Sequence, residues 1–235
     1  MQGDILLVNE VFGPTFQGEG VNLGKPCVFV RLAGCNLSCV WCDTPYSWDW
    51  TRYDKATEVH RQTVVDVADR VRQLAGDTLR HVVISGGEPL LQGQGVSRLM
   101  ENLRRDHWTS ELETAGTVMP PSETLVDHFT VSPKLANSHQ AAHTSSRRMN
   151  SDVLRYLNNT SSHCFKFVVQ HPDDYDEIDA LVGEHHLSPV YIMPEGVDGS
   201  TLHTTLVAIA DGAMKRNYTL TTRLQILTYG QRRAV

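Results

Sequence analysis

Alternation is the feature of this sequence that most limits its fold. Apolar runs of strand length take turns with stretches of helical period from residue 27 to residue 228. Strands are expected at 27–33 (CVFVRLA), 81–85 (HVVIS), near 110–114, and at 128–132 (HFTVS). Further strands are expected at 163–169 (HCFKFVV), 189–193 (PVYIM) and, last, 224–228 (LQILT). Helices are expected at 61–75, 94–105, 151–158, 173–183 and 201–216. Within 61–75, Val64, Val67, Ala68 and Val71 recur at helical spacing and share one apolar face. This alternation builds βα units, a mainly parallel sheet and right-handed crossovers. About six such units are too few for a closed eight-fold barrel, which typically takes ~250 residues. The expectation is a single α/β domain over 1–235, an incomplete barrel or an open sheet. In either, binding sites collect at the C-terminal ends of the strands. The stretches 43–60 and 134–150 carry neither pattern and read as loops, the second expected to be mobile.

Composition narrows the class. With 40% apolar and 20% charged residues, the chain is neither disordered nor a pure coiled coil. No apolar run approaches the ~18 residues that a membrane-spanning helix needs. The N-terminus MQGDILLVNE lacks a basic segment and a long apolar segment, so a secretory signal is not expected. A net charge of −6 argues against a broad nucleic-acid or membrane surface. The five cysteines are an odd number, and three of them fall within eight residues. A secreted disulfide framework favours an even, dispersed set. The expectation is a reduced, cytoplasmic protein whose cysteine cluster is a metal site.

That cluster is Cys35-Asn-Leu-Ser-Cys39-Val-Trp-Cys42, a C-x3-C-x2-C spacing directly after a strand and Gly34. Three thiolates on one short loop can each bind a different iron of a cubane. Four cysteines are usual for [4Fe–4S], so three leave one iron open to a substrate or cofactor. Zinc is the rival, and a structural zinc wants four ligands. No second C-x2-C exists, and His139, His143, His163, His185 and His186 are not at finger spacing. Three unligated cysteines are the remaining alternative.

With this motif the chain resembles the radical S-adenosylmethionine (SAM) enzymes. Trp41 stands where that superfamily usually has an aromatic residue beside the last cysteine. The resemblance implies a partial TIM-like β/α barrel and a [4Fe–4S] cluster on Cys35, Cys39 and Cys42. It also implies SAM chelating the open iron through its amino and carboxylate groups. A second marker follows the strand at 81–85: Ser85-Gly86-Gly87-Glu88-Pro89. Glycines at a strand end let the main chain approach a ligand closely. Backbone carbonyls there, and Glu88, are expected to accept from the SAM amino group.

Four more segments narrow the resemblance. They are Thr15-Phe16-Gln17-Gly18-Glu19-Gly20, Asp43-Thr44 after the last cysteine, Glu113-Thr114-Ala115-Gly116-Thr117, and Ser132-Pro133-Lys134. Together these look like the 7-carboxy-7-deazaguanine synthase family, from about residue 8 to the C-terminus. The resemblance implies conversion of 6-carboxy-5,6,7,8-tetrahydropterin to 7-carboxy-7-deazaguanine and ammonia, begun by a 5′-deoxyadenosyl radical. It implies Mg²⁺ on Thr44, a hard cation that also holds substrate oxygens, with Asp43 in the turn. It places the pterin against Phe16, Gln17, Gly18 and Glu19, with Ser85 as a further contact. Arg31 interrupts an apolar strand, and a buried Arg must be paired, so it is assigned to the substrate carboxylate. SAM is expected against Trp41, Gly87, Glu88, Ser132, Pro133 and Lys134, and more weakly against Glu113 and Thr114. Lys166, in FKFV, can point inward or outward. Trp48 and Trp50 are expected to pack over the cluster. The implied partners are a reductant such as flavodoxin or ferredoxin and a second copy of the chain, with the C-terminal carboxylate at Val235 a possible substrate contact. Two other readings share the cysteines: a radical SAM activase acting on a partner protein, and a non-catalytic zinc-binding protein.

Overall fold

The computed structural model describes residues 4–122, 124–139 and 148–235. The chain opens on a long strand, β1 (Ile5–Phe16), which turns back antiparallel onto β2 (Pro26–Leu32). A one-turn helix, α1 (Lys55–Glu58), and a short strand, β3 (His60–Thr63), follow the cysteine loop. Strand β3 pairs antiparallel with the outer edge of β1, Ile5 opposite Thr63. From there strands and helices alternate except between β5 and β6: α2 (Val64–Ala75), β4 (His81–Gly86), α3 (Gly93–Arg104), β5 (Thr109–Thr114) and β6 (His128–Val131). It continues through α4 (Ser151–Leu157), β7 (His163–Val169), α5 (Asp174–His185), β8 (Val190–Pro194), α6 (Gly199–Lys215), β9 (Thr219–Leu220) and α7 (Leu224–Tyr229). The nine strands form one sheet in the order β3-β1-β2-β4-β5-β6-β7-β8-β9, and every pairing from β2 to β9 is parallel. The sheet does not close on itself. It is the partial, TIM-like β/α barrel that the sequence implied.

Residue alternation divides the two faces of the sheet. Val28, Val30 and Leu32 on β2, Val82 and Ile84 on β4, and Phe165, Phe167 and Val169 on β7 belong to the buried apolar core. Side chains alternate along a strand, so the intervening residues face the other way. Those residues include Arg31, Ser85, Glu111, Glu113, Thr130 and Lys166. The helical side of the sheet is therefore apolar and the concave side polar. Helix α2 seals its end of the core with Val64, Val67, Ala68 and Val71, the face read from the sequence. It starts on a reciprocal cap: Asp66 N donates to Thr63 Oγ1 at 3.1 Å, and Thr63 N donates to Asp66 Oδ2 at 3.3 Å.

The structure corrects two elements. The expected strand at 224–228 is the helix α7, closed by Gly230 at φ +65°. LQILT is short and apolar, and periodicity alone does not separate strand from helix in such a run. Only Ile226 of α7 is buried. The expected helix at 61–75 begins at Val64, because His60–Thr63 pair with β1 first. Strands β1, β3 and β9 had not been expected. Of the loop 134–150, residues 140–147, His143 included, lie outside the described residues.

Candidate active site

The site lies where parallel strands end. The cysteine loop leaves β2 through Gly34, at φ +95°, and Gly34 N donates to Ser47 O at 2.7 Å. Cys35, Cys39 and Cys42 are free, half-buried thiols on the wall of one cavity of about 560 Å³. Leu37 N–H donates to Cys35 Sγ at 3.4 Å, and Trp48 Nε1–H donates to Cys42 Sγ at 3.3 Å. Burial pushes the Cys35 thiol up to about 12 and raises that of Cys39. Bound metal reverses this order, since a coordinating thiol is deprotonated outright. Among the described residues, no three His, Cys, Asp or Glu side chains converge tightly enough to hold one metal ion. The donor set that the cavity does offer is three separate thiols, with N–H groups on the sulfurs of Cys35 and Cys42. That suits a [4Fe–4S] cluster with one iron per thiol and one left open. His139, His163, His185 and His186 are not on the cavity wall.

The double glycine is what lets the next loop dock here. A Cβ on Gly87 would lie 2.0 Å from Gly34 O and 2.9 Å from Cys35 Cβ. A Cβ on Gly86 would lie 2.1 Å from Leu32 O. Glu88 N donates to Gly34 O at 2.8 Å, tying the two loops together. The Glu88 side chain departs from its expected SAM contact. It is 1% exposed and lies off the cavity wall. It accepts from Leu90 N (3.1 Å), Ala115 N (2.8 Å) and Thr114 Oγ1 (2.8 Å). Burial raises its carboxyl above the usual range. Glu88 therefore clamps the end of β5 beneath the site. Thr114, on the wall, spends its hydroxyl on that clamp. Ser132 and Lys134 line the cavity, with Lys134 Nζ 2.8 Å from Ser132 Oγ, while Pro133 does not. The Trp41 ring lies beside Lys134 Nζ, 5.8 Å from ring centre to nitrogen.

Phe16, Gln17, Gly18, Glu19, Arg31 and Ser85 line the same cavity. Gln17 is 1% exposed and its amide is fully assigned. Nε2 donates to Glu111 at 3.0 Å and Glu113 at 3.1 Å, and Oε1 accepts from Glu19 N at 3.2 Å. Its backbone N–H and C=O pair with Lys25 O and Gly24 N, so only carbonyl lone pairs remain for a ligand. Gly18 lies directly against α7: a Cβ there would lie 1.8 Å from Gln225 Oε1, so the Gln225 side chain would have to move. Arg31 donates from Nε to Glu10 Oε1 at 2.7 Å while its guanidinium stays on the wall. Ser85 Oγ donates to Glu113 Oε2 at 2.8 Å. Thr44 precedes a 3-10 turn, yet its side chain does not cap it; the hydroxyl lies 3.7 Å from Cys42 Sγ on the cavity wall. Trp48 sits against the cysteines as expected, whereas Trp50 pairs with Lys55 instead.

Three further residues meet at Glu19, of which the sequence had singled out Lys166 alone. Lys166 points inward, 3% exposed, and forms an ion pair with Glu19. Arg223 and Gln225 also bind Glu19, at 3.2 and 2.7 Å. These partners overcome the cost of burial and hold the Glu19 carboxyl far below the usual range. Lys166 was visible as the lone charge in an apolar strand. Arg223 and Gln225 were hidden by the strand reading of α7. Asp43, expected only in the turn, is ion-paired to Arg223. Residues Gly230–Val235 line the rim.

Comparison with known proteins agrees with this geometry. The family model for the radical SAM superfamily matches residues 30–183. A 7-carboxy-7-deazaguanine synthase of Pyrobaculum aerophilum is 36% identical over 231 residues, covering 96% of each chain. One of Rhodopirellula baltica is 35% identical, covering 97% of this chain and 88% of that one. The crystal structure of QueE from Escherichia coli superimposes with a TM-score of 0.70 at 26% identity, over 95% of this chain and 96% of that one. Likeness that runs from end to end at this identity is more than a shared module, and the chain belongs to the radical SAM superfamily and, within it, to the 7-carboxy-7-deazaguanine synthases.

Proposed function

We propose that this enzyme converts 6-carboxy-5,6,7,8-tetrahydropterin to 7-carboxy-7-deazaguanine, with loss of ammonia, in 7-deazapurine biosynthesis of the queuosine type. The observation that carries the reading is one cavity lined both by the three thiols Cys35, Cys39 and Cys42 and by a polar set, Gln17, Glu19, Arg31, Ser85 and Lys166, suited to a pterin acid. A cavity of about 560 Å³ lies within the ordinary range for small-molecule sites. A reduced cluster with SAM on its open iron supplies a 5′-deoxyadenosyl radical; positioning and shielding fall to the protein.

Each residue has a task in that division. Arg31 presents its guanidinium to the substrate carboxylate, a pairing suited to two parallel N–H···O bonds. Phe16 offers a ring face, Gln17 and Gly18 offer backbone carbonyls, and Ser85 offers a hydroxyl. Glu19, kept ionised by Lys166 and Arg223, offers an acceptor for the amino edge of the pterin. Thr44 ligates Mg²⁺ together with substrate oxygens. Trp41, Gly87, Ser132 and Lys134 hold SAM, Gly87 because its bare α-carbon permits close approach. The chain acts as one domain, as a homodimer in the cytoplasm, and receives electrons from a protein such as flavodoxin or ferredoxin. Among the described residues no helix is long and apolar enough to cross a membrane.

One anaerobic turnover tests the reading. Reconstituted protein receives SAM, Mg²⁺, a low-potential reductant and the carboxytetrahydropterin, and products are identified by mass spectrometry. 7-Carboxy-7-deazaguanine is the expected product. Release of 5′-deoxyadenosine without it would leave the radical chemistry standing and remove the substrate. Failure of a verified, reducible cluster to cleave SAM would remove both.

A further inference from the structure

Arg223 has no task in that division, yet it lines the cavity and ties three parts of the fold together. It is 6% exposed. Nε donates to Glu19 Oε1 at 3.2 Å, Nη1 donates to Gly196 O at 2.8 Å, and Nη2 donates to Asp43 Oδ2. These acceptors come from three separate parts of the fold. Glu19 is on the turn after β1, Gly196 follows β8, and Asp43 is the residue between Cys42 and Thr44. A guanidinium is a planar fork with donors in fixed directions, so it holds its acceptors in a fixed mutual geometry. A lysine ammonium is a point charge on a flexible stem and does not. The Asp43 side chain is otherwise 41% exposed and free to turn toward water. Its two neighbours both face the cavity.

We propose that Arg223 is a positioning residue: by gripping Asp43 and Glu19 with one guanidinium, it sets the Thr44 hydroxyl in register with the pterin clamp. This rests on the reading of Thr44 as the Mg²⁺ site and of residues 16–19 as that clamp. None of its three acceptors is a cysteine, so iron loading should be preserved when it is lost. What is lost is the mutual geometry of metal and substrate, and with it the help that Mg²⁺ gives to substrate binding.

The test compares the wild type with Arg223→Lys, Asp43→Asn and the double variant, all reconstituted. Iron and sulfide content should match. Calorimetry on unreduced, SAM-loaded protein measures pterin affinity with and without Mg²⁺. The affinity gain from Mg²⁺ should fall about tenfold or more in each single variant, the scale of one lost charge-assisted hydrogen bond. The double variant should be no worse than Arg223→Lys alone, because the contact that Asp43→Asn removes is already lost there. Hydrogen exchange over residues 42–48 reads the brace without ligand, and it should quicken in both variants. Unchanged exchange in Arg223→Lys overturns the proposal, as do additive losses or an Mg²⁺ gain equal to that of the wild type. If the wild type itself does not bind the pterin, the substrate reading falls, and the exchange result still decides the brace.

Discussion

Single atoms decide whether the two loops of the site can meet. Gly87 is the sharpest case, since a methyl group there would overlap the carbonyl oxygen of Gly34 at 2.0 Å. The Gly87→Ala protein should fold, yet hold its thiol loop displaced. Its iron content after reconstitution should fall to less than about half of the wild type. Gly183→Ala, on α5 with nothing within 4 Å of the new methyl, should leave iron unchanged and add about 0.5–1 kcal/mol of stability. Equal iron in both variants would show that the close packing does not matter. At this scale the sequence was readable wherever a residue type is unusual for its surroundings. Three cysteines on one loop, paired glycines at a strand end and Arg31 in an apolar strand all stood out. Glu88 did not, because a carboxylate that turns down to clamp β5 looks the same in sequence as one that faces a ligand. What separates them is the burial of Glu88 and its bonds to Thr114 and Ala115.

Elements were legible in proportion to their length and periodicity. Helix α2 has 12 residues with one apolar face, and its buried positions were read correctly. Helix α7 has six residues and one buried side chain, too little for a period to emerge. Strand β1 was missed because Gly13-Pro14 break its pattern and the register shifts between Phe12 and Thr15. The start of α2 was misplaced by three residues because β3 runs directly into it. Its true start rests on Thr63, and Thr63→Ala should cost about 1 kcal/mol. A urea midpoint that does not move would mean that the β3 pairing, rather than the cap, fixes the start of the helix.

Three strands of the sheet start on a histidine, at the opposite end from the chemistry. His81, His128 and His163 stand at the starts of β4, β6 and β7, while the cavity lies at the strand ends. Burial holds both His81 and His128 down at about 4, against 6.5 for the free side chain. Between those values the unfolded chain binds more protons than the folded one. Stability is therefore intact above about pH 6.5 and declines as pH falls toward 4, by at most about 3 kcal/mol per ring. Glu88 and Glu111 act in the opposite sense, since burial raises both carboxyls and favours their protonation in the fold. Urea unfolding at pH 7, 5.5 and 4.5 on the wild type and His81→Gln isolates the histidine part, and the variant should show the shallower decline. The alternation of strands and helices made this architecture readable, whereas closure of the site was not, because it depends on contacts distant in sequence. Asp43 and Arg223 are separated by 180 residues. A ribosome therefore exposes the iron-binding thiols long before it makes the arginine beneath them. Domains generally fold as units, so the thiol loop and the arginine that reaches Asp43 come together only when the whole sheet does. The wall of the site is therefore completed last, when the end of the chain brings Arg223 to Asp43 and Glu19.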